Sequence, residues 1–105
     1  DAVFSSTDAA VAGALQELKR QHCRVPADVA LAGFSNASFT TLTEPPLTTV
    51  DRCSRQLGHE AVTQLLRLLR AEPADAPVVL RPQLLVRASS QRLATVSQQL
   101  ITDNQ

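Results

Sequence analysis

The chain has 105 residues, which suffices for one domain or part of one and leaves little room for a catalytic apparatus beside a core. Ten basic residues balance ten acidic ones, and this zero net charge provides no long-range attraction for nucleic acid phosphates. Hydrophobic residues make up 44% of the chain, too many for intrinsic disorder, and no apolar run approaches the roughly 20 residues that span a bilayer.

The first 20 residues predict a strand, a turn and a helix. Ala2–Phe4 is a short apolar run, and Asp8 follows three hydroxyl residues at the start of an Ala- and Leu-rich segment. We expect Asp8 to cap that helix, because its carboxylate can accept hydrogen bonds from the free N–H groups of the first turn. The apolar stripe has i, i+3, i+4, i+7 spacing and consists of Val11, Ala14, Leu15 and Leu18.

A second buried strand is predicted at Val29–Phe34, where the apolar run is continuous. A strand, a helix and a strand within about 34 residues form a βαβ unit, which implies parallel strands and a right-handed crossover. The fold class is therefore α/β.

The second half of the chain predicts a loop over residues 35–47, a short strand at 47–50 and a helix at 54–71. The leucines of this helix form a stripe broad enough to need cover on more than one side. Short strands are predicted at 78–80 and 84–86, and a weak helix through Val96 and Leu100.

Two loops contain the side chains that could bind a ligand. Ser5, Ser6, Thr7 and Asp8 follow the first strand, and Phe34, Ser35, Asn36 and Ser38 follow the second. Ligands bind beyond the carboxyl ends of parallel strands, and hydroxyl and amide groups suit a neutral polyol. The alternative is that these residues serve only as helix caps and turns.

Catalysis is not expected, because nucleophile elbows, phosphate-binding loops and zinc-protease motifs are absent from the sequence. We expect His22 and His59 at the surface.

Cys23 and Cys53 lack metal-ligand spacing and are expected to be reduced thiols, with a disulfide or metal site as the alternative. We therefore expect no cofactor and no metal. Solvated surface positions are expected for Arg52, Arg55, Arg67, Arg70, Arg81, Arg87 and Arg92.

Five segments together resemble the C-terminal region of LacI/GalR transcriptional regulators, from residue 1 to about residue 90. They are DAVFSSTDAAVAGALQELK, RVPADVALAGFSN, EPPLTTV, QLGHEAVTQLL and LRPQLLVRASS. The resemblance implies part of a type I periplasmic-binding-protein-like domain, a three-layer α/β sandwich whose two lobes enclose a small-molecule effector. It also implies a cytoplasmic homodimer, remote from any membrane, that contacts operator DNA only through an N-terminal domain absent from this chain.

The resemblance divides the chain into segments. Residues 1–51 would belong to the C-terminal lobe, residues 52–83 would pack on the N-terminal lobe, and residues 84–90 would return to the first. Residues 91–105 would form a C-terminal tail. We therefore interpret the chain as a fragment, and we expect it to expose the apolar face of its second long helix when isolated.

Site residues follow from the same resemblance. The effector contacts would be Thr7 and Asp8, in place of the usual Asn-Asp pair, and Phe34, Ser35 and Asn36, in place of the usual Tyr/Phe-Asp. These departures remove groups that commonly hold a sugar hydroxyl. The dimer interface would comprise Ala12, Gln16, Phe39, Leu42 and Thr43, and the alternative is that these residues fill the local core.

The leading hypothesis is the effector-sensing and dimerisation region of a transcriptional regulator. Two alternatives stay open, namely the C-terminal lobe of an extracytoplasmic sugar-binding protein that serves a transporter, and a dimerisation module without a ligand. Upstream sequence would separate the first two, since a helix-turn-helix indicates a regulator and a signal peptide indicates a transporter component.

Overall fold

A computed structural model describes residues 1–73 and 76–92. The predicted helix through Val96 and Leu100 lies outside these residues. The strands are β1 (Ala2–Phe4), β2 (Ala30–Ala32), β3 (Thr49–Asp51) and β4 (Gln83–Leu85). The helices are α1 (Asp8–Arg20) and α2 (Ser54–Leu69), with single 3-10 turns at Ser38–Thr41 and Ala88–Ser90.

The predicted βαβ unit is present. β1 pairs in parallel with β2, with Ala2 opposite Ala30, and α1 connects them. A parallel bridge between Ala32 and Thr48 links β2 to the segment that leads into β3. The predicted α/β class is therefore confirmed, although β4 runs antiparallel to β3 and the pairing is not parallel throughout.

The core lies between α1 and β2. Val11 and Leu15 from α1 meet Leu31 from β2 and Leu47 from the following segment, and all four are buried. The first two belong to the predicted stripe of α1, so the helical period determines which face of the helix is covered.

Gly33 follows β2 at a point where no side chain fits. A Cβ atom built on Gly33 would lie 2.2 Å from the Asp8 Oδ1 atom and 3.3 Å from the Val11 Cγ2 atom. Glycine at position 33 therefore allows the start of α1 to approach the end of β2 closely.

Residues 87–92 bind to the sheet and to the N-terminal residue of the chain. The buried Ser89 hydroxyl donates to the Leu31 carbonyl at 2.7 Å and accepts from the Thr48 N–H at 2.8 Å, and so joins two segments of the sheet. The Arg92 guanidinium contacts the Asp1 carboxylate and carbonyl and donates to the Pro26 carbonyl.

No residue of α2 is buried against the described part of the chain. Leu68 and Leu69 are 65% and 73% exposed, and Val62 is 57% exposed. This agrees with the expected exposure of its apolar face. No helix among the described residues is long and apolar enough to cross a membrane.

The prediction of a strand at 78–80 was wrong. Residues 76–82 form no regular structure, and no strand of the described part of the chain pairs with their N–H and C=O groups. The β4 strand lies at Gln83–Leu85, one residue earlier than predicted, where β3 provides the partner.

Candidate functional site

The loops that follow β1, β2 and β3 lie at one edge of the structure. The Ser5 N–H donates to the Ala32 carbonyl at 3.1 Å, and the Ser35 N–H donates to the Val50 carbonyl at 3.0 Å. These bonds extend the strand pairing into the loops. The carboxyl ends of three neighbouring parallel segments therefore share one edge, which is where ligands bind in α/β proteins.

Asp8 links two of these loops. The residue is 2% exposed, and its Oδ2 atom accepts from the Ala37 N–H at 2.7 Å. Its Oδ1 atom accepts from the Thr49 hydroxyl, also at 2.7 Å. A buried carboxylate requires such donors, because removing its charge from water is costly.

The prediction that Asp8 caps α1 was wrong. The capping residue is Thr7, which has an extended backbone and whose Oγ1 atom accepts a hydrogen bond from the Ala10 N–H at 3.3 Å. Asp8 is the first residue of the helix, and its carboxylate faces the loop after β2 instead. Its negative charge still lies at the positive end of the α1 dipole.

The loop after β2 has an unusual backbone. Ser35 and Asn36 have φ values of 123° and 55°, which L residues rarely adopt. Thr49 holds this conformation, because its Oγ1 atom accepts from the Asn36 N–H at 3.0 Å while its hydroxyl donates to Asp8. Such strain commonly occurs at functional sites.

Arg87 supports the same loop from the opposite side. Its Nη1 atom donates to the Thr40 hydroxyl at 2.7 Å and to the Leu47 carbonyl at 3.0 Å. Its Nη2 atom donates to Asn36 Oδ1 at 3.1 Å. One side chain therefore joins the segment after β4 to the candidate site.

A cation also lies at this edge. The Arg52 guanidinium is located 5.7 Å from the centroid of the Phe34 ring, within the range of a cation–π interaction. The neighbouring Asp51 accepts the Cys53 N–H at 2.8 Å through Oδ1. The loop after β3 thus contributes the positive charge of Arg52, which lies next to the Phe34 ring on the loop after β2.

His, Cys, Asp and Glu side chains are the usual protein ligands of metal ions. Over residues 1–73 and 76–92, three His, Cys, Asp or Glu side chains do not come together as a metal site would require. Cys23 and Cys53 are free thiols. His22 and His59 are exposed, as the sequence predicted.

Comparison with known proteins shows where this arrangement recurs. Residues 1–90 match the model of the periplasmic binding protein-like domain. The transcriptional repressor CytR of Escherichia coli K12 is 34% identical over 93 residues, which are 88% of this chain and 27% of the repressor. The chain belongs to the LacI/GalR family of transcriptional regulators. The repressor PurR of Pasteurella multocida is 32% identical and aligns with 84% of this chain and 27% of its own length.

Solved structures of LacI/GalR regulators have the same fold. The regulator CcpA of Lactococcus lactis superimposes with a TM-score of 0.81 at 26% identity, over 86% of this chain and 34% of CcpA. The Lac repressor dimer bound to operator and the anti-inducer ONPF gives a TM-score of 0.79 at 26% identity, over 87% of this chain and 32% of the repressor. The chain thus spans about a quarter to a third of these LacI/GalR relatives.

The five effector residues predicted from the LacI/GalR resemblance lie on the first two loops. Asp8 is buried with both carboxylate oxygens bonded, and the Thr7 hydroxyl caps α1. Phe34, Ser35 and Asn36 are half-buried. The last three therefore retain surface for a ligand, whereas Asp8 serves to hold the two loops together.

The five predicted dimer residues are divided between α1 and the segment after Asn36. Leu42 is 83% exposed and Gln16 is exposed, while Ala12 is half-buried. Phe39 packs against the core cluster, and the Thr43 hydroxyl donates to the Pro45 carbonyl at 2.9 Å. Their role in a dimer stays a prediction.

Sequence reasoning missed Thr49 and Arg87. Thr49 was an unremarked residue of a predicted strand, and Arg87 was assigned to the solvated surface, which was wrong because it is half-buried and bonded to three residues. A hydroxyl pair between Leu47 and Val50, and an arginine directly after an apolar strand, were the available signals of buried polar contacts.

Proposed function

We propose that this chain is the effector-sensing and dimerisation region of a cytoplasmic LacI/GalR regulator and has no catalytic activity. The observation that carries the proposal is the Asp8–Thr49–Asn36 network, which joins the two candidate loops through hydrogen bonds. Preorganised loops reduce the ordering cost of binding a small molecule. The effector contacts would come from Phe34, Ser35 and Asn36, with Thr7 at the rim.

Sensing would act by linkage. A ligand that binds one lobe arrangement better than another shifts the population of the DNA-binding geometry by its differential affinity. The Lac repressor relative was solved as a dimer with operator and an anti-inducer, which supports a comparable coupling here. Operator contact would come from an N-terminal domain outside this chain.

The division into lobes is part of the proposal. β3 pairs with β4, so residues 52–82 leave the sheet at Asp51 and return to it at Gln83. The excursion contains α2, whose apolar face is uncovered by the described residues. Residues 52–83 would pack on the N-terminal lobe, residues 1–51 and 84–90 would form the C-terminal lobe, and residues 91–105 would form a tail.

The ligand proposal is tested by thermal shift on the full-length product of the gene, with sugars, sugar phosphates and nucleosides as probes. A ligand that binds only the native state raises the melting temperature. We expect a selective shift that Ser35→Ala or Asn36→Ala abolishes and that Thr41→Ala, an exposed control, preserves. The absence of a shift with every compound would indicate a module without a ligand.

Dimerisation is tested separately. Leu42 is the preferred position, because it is exposed and its loss leaves the core intact, whereas Phe39 packs against the core. Leu42→Glu should convert a dimer into a monomer in sedimentation velocity. A dimer that survives this change, and survives Gln16→Glu as well, would place the interface elsewhere.

A further inference from the structure

The orientation of the Asn36 side chain is fixed by its partner. Arginine carries only donors, so the group that faces Arg87 must be the amide oxygen. The observed contact, from Arg87 Nη2 to Asn36 Oδ1 at 3.1 Å, has this polarity. The NH2 group is therefore the part of the amide that is left for a ligand, and within the described residues it has no partner.

Arg87 cannot easily release that oxygen. Its other nitrogen is held by Thr40 and Leu47, and the Asn36 backbone N–H is held by Thr49. Two independent anchors thus fix both the amide and the arginine that orients it. Asn36 therefore offers its NH2 group to a ligand, while its Oδ1 atom is bound to Arg87.

The carboxylates at this edge provide few acceptors. Both oxygens of Asp8 are occupied by protein donors, and one oxygen of Asp51 receives the Cys53 N–H. The exposed Arg52, placed over Phe34, adds a positive charge. The Asn36 NH2 group and the Arg52 guanidinium therefore offer an amide donor and a cationic donor at this edge, a pair that suits an anionic group of a ligand.

We propose that the effector is a sugar acid, whose carboxylate is bound by the Asn36 NH2 group and the Arg52 guanidinium, with Arg87 as the positioning residue. This inference rests on the proposed sensing function and specifies its ligand class. Charge-assisted hydrogen bonds to a carboxylate are stronger than the neutral bonds that a sugar hydroxyl forms.

The test is calorimetric titration of the full-length protein with two matched pairs, D-glucuronate with D-glucose and D-galacturonate with D-galactose, at constant ionic strength. In at least one pair we expect the acid to bind about tenfold or more tightly than the neutral sugar. Equal or tighter binding of the neutral sugar would overturn the inference and leave the sensing function standing. No binding by any of the four would overturn the inference, and the broader thermal-shift screen then decides whether the chain senses an effector of another class.

Substitutions at Asn36 and Arg52 test whether these two side chains bind the carboxylate. Asn36→Asp replaces the donor with an acceptor, and Arg52→Gln removes the cation; each should reduce the acid-to-neutral affinity ratio by about tenfold. Arg55→Gln, an exposed arginine on α2, is the control and should leave the ratio unchanged.

Arg87→Gln tests the positioning role. It frees the Asn36 amide to rotate, so we expect the acid-to-neutral ratio to fall, whereas a purely structural loss would weaken both ligands equally. Melting temperatures without ligand report on folding, and the exposed Arg52 keeps the inference testable if the other variants unfold. An unchanged ratio in Arg52→Gln would overturn the assignment.

Discussion

Thr49 uses one hydroxyl group for two purposes. It donates to buried Asp8 and accepts from the N–H of Asn36, whose backbone has positive φ. We expect Thr49→Val to destabilise the chain by about 1–3 kcal/mol, because a buried carboxylate oxygen and a loop N–H both lose a partner. Urea denaturation measures the change, with Thr41→Val as the exposed control. Equal midpoints for the two variants would contradict this role.

Gly33 tests the close approach at the start of α1. A Cβ atom at this position would lie 2.2 Å from the Asp8 Oδ1 atom, so Gly33→Ala must displace the buried carboxylate. We expect a loss of about 1–3 kcal/mol in the free energy of unfolding.

Gly13 provides the matched control for that change. A Cβ atom on Gly13 meets nothing within 4 Å among the described residues, and the residue lies inside α1. Gly13→Ala should stabilise the helix by about 1 kcal/mol, since alanine has the higher helix propensity. Denaturation midpoints that move in the same direction for both variants would contradict the argument.

At the residue scale, the sequence predicted which loops lie together at one edge but not the direction of each side chain. Hydroxyl, amide and carboxylate groups after two apolar segments marked the edge at which the loops after β1 and β2 meet. Thr7 and Asp8 are both suitable caps, and their roles are decided by Gly33 and Thr49, which lie 25 or more residues away. Such contacts cannot be derived from local propensity.

The end of α1 contains a small pH-dependent element. Glu17 accepts hydrogen bonds from Arg20 and Gln21, and the Arg20 bond in particular lowers the pKa of Glu17 from 4.5 to about 2. A lowered folded-state pKa stabilises the folded chain above pH 4.5, and this stabilisation is lost as the pH falls toward 2.

Glu17→Gln should remove this contribution. Glu17 and its partner Arg20 are both exposed, so we expect the substitution to lower the melting temperature only slightly at pH 7. This difference should disappear near pH 2. Melting curves of the two proteins over this range measure the difference. A gap that widens as the pH falls would have the wrong sign.

At the element scale, periodicity predicted both long helices, and α2 ends two residues before the predicted boundary. The strand at 78–80 failed because apolar composition alone does not provide a pairing partner. The position of a strand can be predicted only when the strand it pairs with is known. For β4 that partner is β3.

Across the whole molecule, the uncovered face of α2 has a measurable effect. The isolated 105-residue chain should bind a hydrophobic dye or self-associate, because contiguous apolar surface is unfavourable in water. Replacing Leu65, Leu68 and Leu69 with Gln should reduce dye binding and leave the core unaffected, since these residues are exposed. Strong dye binding that persists in the triple variant would locate the apolar surface elsewhere.

The proposed division into lobes rests on the family resemblance and not on local sequence. The order of strand, helix and strand indicated an α/β core, but nothing local to α2 indicates whether its leucines face this sheet or another body. The return of the chain through β4 depends on pairing between residues 32 to 36 positions apart.

Ser89 also affects when the core can form during synthesis. The Leu31 carbonyl and the Thr48 N–H precede their partner hydroxyl by 58 and 41 residues along the chain. On the ribosome these two groups remain unpaired until Ser89 emerges, and closure by Arg92 against Asp1 follows later still. Because such distant contacts slow folding, the nascent chain should stay open to chaperones and proteases until nearly all of this region has been translated.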